Sequence, residues 1–141
     1  VELTAVPLPA LWPRLHAACP DVTLRTPAAA PTVRGDADLL LDLLCNLVQN
    51  AAKASAPDAP VLVLCAQAGD AVTLTVADRG CGIPPEKHGY VFERFTKLDP
   101  FSQGNGLGLY LCRLIVTRLG GAIRVCPDYR AGCCIEITLP Y

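Results

Sequence analysis

The sequence predicts a two-layer α/β domain in which several antiparallel strands pack on one layer of helices, and three stretches carry that expectation. Residues 36–55, DADLLLDLLCNLVQNAAKAS, repeat apolar side chains at helical spacing. Residues 61–68 and 71–78 are β-rich runs separated by Gly69-Asp70, which is hairpin spacing. Residues 106–119 form a second apolar helical pattern, followed by strand-like runs at 122–126 and 133–139 around a turn at 127–132.

In chain order, residues 1–6 alternate apolar and polar side chains and predict a small edge strand. The proline-punctuated segment 7–19 predicts a short helix. Pro9 or Pro13 fits its first turn, where a missing N–H is harmless, and Leu11, Leu15 and Ala18 face inward. A strand is expected at 21–26, a loop at 27–31 and an extended piece at 32–34. Asp36 is the expected N-cap of the long helix, Asp38 suits the positive end of its dipole, and Pro57 and Pro60 end it. Leu40, Leu43, Leu44, Leu47, Val48 and Ala51 supply its buried face. In the hairpin, Val72, Leu74 and Val76 face one side and Thr73 and Thr75 the other. The connection 84–105 has little periodicity apart from Tyr90-Val91-Phe92-Glu93-Arg94-Phe95, and an unstructured link of about 20 residues in a compact domain is usually a functional lid. In the second helix Leu107, Leu111, Leu114, Ile115 and Val116 are the apolar positions, and Gly120-Gly121 is the stop.

Composition bounds the function. A chain of 141 residues suits a single domain (1–141) that buries roughly two-thirds of its unfolded surface. With 12 basic against 13 acidic side chains and 52% hydrophobic residues, neither a nucleic-acid surface nor disorder is indicated. The longest apolar runs, such as 59–66, fall far short of the ~20 residues that span a bilayer, so a soluble domain is expected, and its expected location is cytoplasmic. The chain begins at Val1 and has no methionine, which predicts excision from a longer protein. Its 8 cysteines include no C-x-x-C pair and lie mostly within apolar patterns, so they read as small buried hydrophobes in a reducing compartment.

The chemistry begins on the long helix. Asn46, Asn50 and Lys53 stand at i, i+4 and i+7, and about 100° per residue stacks them on one side, with Asp42 one turn earlier. Asp78 ends a strand and is followed by Gly80 and Gly82. Gly104-Asn105-Gly106-Leu107-Gly108 opens the second helix, where unpaired N–H groups and the dipole favour an anion and glycines admit a phosphate. Each signal is weak alone; their order and spacing are specific.

In that order the chain resembles the GHKL superfamily of ATP-binding domains, and most closely the catalytic ATP-binding domain of bacterial sensor histidine kinases. Residues 46–53 resemble the N box, 78–84 the G1 box, 91–95 the F box and 104–109 the G2 box. The resemblance implies a Bergerat-type sandwich: a mixed, largely antiparallel sheet of about five strands plus a small edge strand, covered on one face by three helices, with a flexible ATP lid at about 84–105. It implies ATP and Mg²⁺ as ligands. Asn50 would hold Mg²⁺, Asn46 would support the metal or its waters, and Lys53 would contact phosphate. Asp78 would accept a hydrogen bond from the adenine amino group, with Gly80 and Gly82 beneath the base and Ile83 lining it. Phe92 and Phe95, together with Phe101, would anchor the lid, and Lys97 would reach the terminal phosphate. Gly104, Gly106, Leu107 and Gly108 would form the phosphate-facing turn, Gly106 and Gly108 through their N–H groups.

Hydrolytic members such as gyrase carry a glutamate at the place of Asn46, as general base for water. An amide cannot take that proton, so the resemblance implies phosphoryl transfer to a histidine, with Asn46 and Lys97 in the catalytic role. Asp42 is one turn too early to replace the glutamate; in the family a polar group there can orient the acceptor. His16 and His88 lack the acidic residue and Thr/Asn-Pro that follow an acceptor histidine, so the acceptor is expected on an adjoining dimerisation and phosphotransfer domain, with a response regulator downstream. The fragment is expected to be monomeric and its parent, membrane-bound or not, a homodimer. The sequence departs from the family at Asn105, where threonine is usual, and in a short lid; asparagine keeps a hydrogen-bonding side chain and suits turn geometry. Two alternatives stand beside this reading: an anti-sigma-type serine kinase and a non-catalytic nucleotide sensor.

Overall fold

In a computed structural model of the protein, the described residues are 3–54, 59–78, 108–126 and 134–140. Strand β1 (Thr4–Pro7) leads through a 3-10 turn (Leu8–Leu11) into helix α1 (Trp12–Ala18), followed by β2 (Leu24–Arg25), β3 (Thr32–Gly35) and the long helix α2 (Ala37–Ala54). Then come β4 (Val61–Ala68), β5 (Ala71–Ala77), α3 (Gly108–Arg118), β6 (Ala122–Val125) and β7 (Cys134–Pro140). Five strands form one sheet in the order β2-β4-β5-β7-β6, parallel between β2 and β4 and antiparallel elsewhere. The expected N-terminal edge strand is β1, which pairs with β3 in a separate two-stranded ribbon. The two-layer mixed sandwich expected from the sequence is the fold observed.

Strand alternation builds the core. Val61 and Val63, then Val72, Leu74 and Val76, then Ile135, Ile137 and Leu139 are buried on one face of the sheet. Onto this face α2 packs through Leu40, Leu43, Leu44, Leu47, Val48 and Ala51, all buried as the leucine pattern requires. Thr73 and Thr75 take the other face, where Leu64 is 53% exposed.

Helix α2 starts where its cap dictates. The Asp36 carboxylate accepts from the Leu39 N–H at 3.0 Å, and the Asp36 carbonyl accepts from the Leu40 N–H at 2.9 Å. One of the unpaired donors of the first turn is thereby satisfied. Asp36→Ala is expected to lower stability by about 1 kcal/mol in chemical denaturation without altering the secondary-structure signal.

The second helix ends on glycine. The Gly121 N–H donates to the Val116 carbonyl and the Gly120 N–H to the Thr117 carbonyl, with Gly120 at φ +79°, a Schellman motif. Gly121 also passes so close to the Thr138 carbonyl that a Cβ there would overlap it, which fixes how tightly α3 turns back onto β7.

Three expectations are corrected. Ala18 is exposed, and the inward face around α1 is Leu8, Leu11, Trp12 and Leu15, because the 3-10 turn shifts the phase ahead of the helix and Trp12 is anchored by its indole N–H to the Pro27 carbonyl at 3.0 Å. The strand expected over 21–26 shrinks to Leu24–Arg25, since among the described residues β4 is its only partner and the register reaches two residues. Leu111 and Leu114 are 44% and 41% exposed instead of facing the core. The buried seam of α3 is Cys112, Val116 and Leu119, an i, i+4, i+7 row turned away from both leucines.

Candidate functional site

Helix α2 carries the polar stripe opposite its leucine face. Asn46 and Asn50 are half-buried and Asp42 is exposed, whereas Leu43, Leu47 and Val48 between them are buried. Lys53 lies in the last turn of α2. The stripe is therefore a ledge at the margin of the core, with partial shielding that strengthens electrostatic contacts relative to open water.

Asn46 is held in one orientation. Its Nδ2 donates to the Asp42 carbonyl one turn back, at 3.0 Å. Because the group facing a carbonyl must be the amide nitrogen, Oδ1 points away from the helix backbone as an acceptor. The spacing of Asp42 and Asn46 made a relation between them legible, but not that the backbone of Asp42, rather than its carboxylate, would make it. The side chain of Asn50, which lies within α2, has no hydrogen-bond partner among the described residues, which leaves its amide available to a ligand. Two amide oxygens one helical turn apart suit a hard cation such as Mg²⁺, which keeps several waters and takes few protein oxygens.

Asp78 follows the last residue of β5 and is 3% exposed, the sole polar or charged side chain in the buried class among the described residues. A buried carboxylate persists only where donors match it, and no buried side-chain polar atom among the described residues lacks a partner. The strand-end placement read from the sequence is thus correct, and its burial gives the acceptor a sheltered position. Helix α2 packs against both β5 and α3, so the ledge of asparagines, the Asp78 strand and the helix that begins at Gly108 belong to one packed unit. Gly80, Gly82, Ile83, Phe92, Phe95, Lys97, Phe101, Gly104, Asn105, Gly106 and Leu107 lie outside the described residues, as does the segment 84–105 expected to be the lid.

The thiols bear out the reading of cysteine as a buried hydrophobe at several positions. Burial pushes the Cys112 thiol up to about 12 and the Cys65 thiol to about 11. Cys45, next to Asn46, is pushed to about 11, first by burial and then by the neighbouring Cys19 and the charge of Asp42. Among the described residues no group of three or more His, Cys, Asp or Glu side chains could hold a metal ion, and no helix is long and apolar enough to cross a membrane.

Comparison with known proteins gives this geometry a family. Residues 35–141 match the model of the histidine kinase-, DNA gyrase B- and HSP90-like ATPases. The sensor protein SrrB of Staphylococcus aureus is 35% identical over 109 residues, covering 74% of this chain and 19% of that protein, so the chain spans less than a fifth of this relative. Among solved structures, the mycobacterial sensor histidine kinase MprB is 34% identical with a TM-score of 0.78, covering 91% of this chain and 89% of that one. Full-length ShkA in complex with AMPPNP is 26% identical with a TM-score of 0.82, covering 99% of this chain and 31% of that one. The asparagine ledge and the buried strand-end aspartate thus sit in a chain that belongs to the histidine kinase-, DNA gyrase B- and HSP90-like ATPase family, and within it to the catalytic domains of sensor histidine kinases.

Proposed function

We propose that the domain binds Mg-ATP between the α2 ledge, Asp78 and the 84–105 segment, and delivers the γ-phosphoryl group to a histidine on an adjoining dimerisation domain of its parent protein. The observation that carries the reading is Asn46, whose amide is tied to the Asp42 carbonyl at 3.0 Å. Held there, it can orient a water or a metal-bound water through Oδ1, but an amide cannot remove a proton from a water nucleophile. A reaction at this site therefore favours an acceptor that is already nucleophilic, as a neutral imidazole nitrogen is. The new bond joins that nitrogen to the γ-phosphorus, the bond to the bridging oxygen breaks, and ADP leaves.

The protein's part is positioning and charge. Asn50 holds the metal, with Asn46 in support, and Lys53 faces the phosphates from the same side of α2. Asp78 accepts from the adenine amino group, with Gly80, Gly82 and Ile83 around the base. Phe92 and Phe95 seat the lid, Lys97 neutralises the terminal phosphate, and Gly104, Gly106, Leu107 and Gly108 form the turn that offers N–H groups. Bound Mg²⁺ supplies neutralisation of charge on the phosphate oxygens. The AMPPNP held by ShkA, a structure of the same fold, supports a nucleotide at this site. The proposed setting is two-component signalling: a homodimeric parent, a response regulator downstream and a cytoplasmic location for this domain.

The test is a nucleotide titration with and without Mg²⁺, followed by phosphotransfer from labelled ATP once the dimerisation domain is restored. An acid-labile, base-stable phosphoryl adduct on that domain is expected. Mg-dependent binding with no such adduct, or with label on a serine of a separate protein, would overturn the histidine-transfer reading; absence of binding would overturn the nucleotide site itself.

A further inference from the structure

We propose that Cys126 and Cys134 are a reversible disulfide site at the turn end of the β6–β7 hairpin, closed by exchange with a low-molecular-weight disulfide such as oxidised glutathione. Val125 pairs with Ile135 in the register of the two strands, so the next pair is Cys126 and Cys134. The Cys126 N–H donates to the Cys134 carbonyl at 2.8 Å, which continues the ladder through that pair. Residues opposite one another in a hydrogen-bonded antiparallel pair have Cα atoms about 5.5 Å apart, within the span a disulfide bridges. Both side chains take the same face of the sheet. The Cys134 thiol donates to Cys126 Sγ at 2.8 Å, so bond formation, at about 2.05 Å, requires the sulfurs to close by roughly 0.8 Å.

The other described cysteines lack this combination. Cys65 stands opposite Leu74, and burial holds the Cys65 and Cys112 thiols protonated. Cys45 touches Cys19, but its thiol is held protonated as well, and a protonated thiol exchanges slowly. Cys126 is half-buried and Cys134 is buried, a division that suits an attacking and a resolving sulfur. In the first step Cys126 sulfur attacks one sulfur of oxidised glutathione, the S–S bond of the reagent breaks and a glutathione thiolate leaves. In the second, Cys134 sulfur attacks the mixed disulfide at Cys126 and releases the second glutathione thiolate. The two protons lost by the cysteines end on two glutathione thiols, and the two electrons they give up reduce the reagent. Cys134 also pairs across β5 with Ala77, the residue before Asp78, so the bond would tighten the end of the sheet that carries the buried carboxylate.

The experiment exposes the chain to oxidised glutathione, blocks remaining thiols by alkylation and maps tryptic peptides by mass. Cleavage after Arg124 and Arg130 places Cys126 in one peptide and Cys133 with Cys134 in the next. The expected result is a linked pair of these peptides, two hydrogens lighter than their sum, separated again by dithiothreitol. The link should persist in Cys133→Ser and vanish in Cys134→Ser. Full alkylation of both thiols, arrest at a glutathione adduct, or a link that vanishes with Cys133→Ser would each overturn the proposal.

Discussion

Replacing Asn50 with alanine is expected to weaken Mg-dependent nucleotide binding on the order of 100-fold or more while leaving the fold intact, as the loss of a direct metal ligand should exceed the 10-fold to 100-fold typical of outer partners. The two halves of that expectation rest on different facts. Asn50 is half-buried on α2, and the core face of that helix is complete without it through Leu43, Leu47, Val48 and Ala51. No hydrogen bond among the described residues depends on its amide, so truncation leaves no orphaned buried group, and a stability change within about 0.5 kcal/mol follows. Calorimetric titration with and without Mg²⁺ checks the first half and thermal denaturation the second. Equal Mg-dependent affinity in the variant would remove Asn50 from the metal site; loss of folding would make it a structural asparagine. Asn50→Asp, which keeps a hard oxygen at the same reach, should retain Mg-dependence.

The parts of the fold that local chemistry specifies were legible in advance. Asp36 and the apolar row from Leu40 to Ala51 mark α2, and Gly69-Asp70 between alternating runs marks the β4–β5 hairpin, because each is decided by residues close in sequence. The pairing of β1 with β3, whose end pairs Thr4–Gly35 and Pro7–Thr32 are 31 and 25 residues apart, depends on contacts that no local pattern encodes (Val6 opposite Val33, for instance). Helix α3 misled for a different reason: Leu109, Leu111, Leu114, Ile115 and Val116 surround the helix, so the pattern does not select a face, and the choice fell to a cysteine at 112 that the leucines overshadowed. At the site, the ledge and the strand-end aspartate were legible because spacing and strand boundaries are local. The bond from Asn46 to the Asp42 backbone was not, since a carboxylate and a carbonyl one turn back are equally near in sequence.

Asp78→Asn is expected to cut ATP affinity by about 10-fold to 100-fold, the range for hydrogen bonds to a charged partner, and to shift preference toward inosine triphosphate. A carboxylate offers only acceptors, and the adenine amino group offers a donor. Asp78 is 3% exposed, so its surroundings must present donors to it, and those donors will draw the amide oxygen of an asparagine toward themselves. The amide nitrogen is then left facing the base, donor against donor for adenine. Hypoxanthine carries a carbonyl oxygen at the same position and would accept from it, so the loss for ATP is accompanied by a gain for inosine triphosphate. A competition titration of the two nucleotides reads the ratio directly, and thermal denaturation of the variant separates altered recognition from a weakened strand end. If the ratio is the same in wild type and variant, Asp78 does not read the base, and its buried carboxylate serves the fold alone.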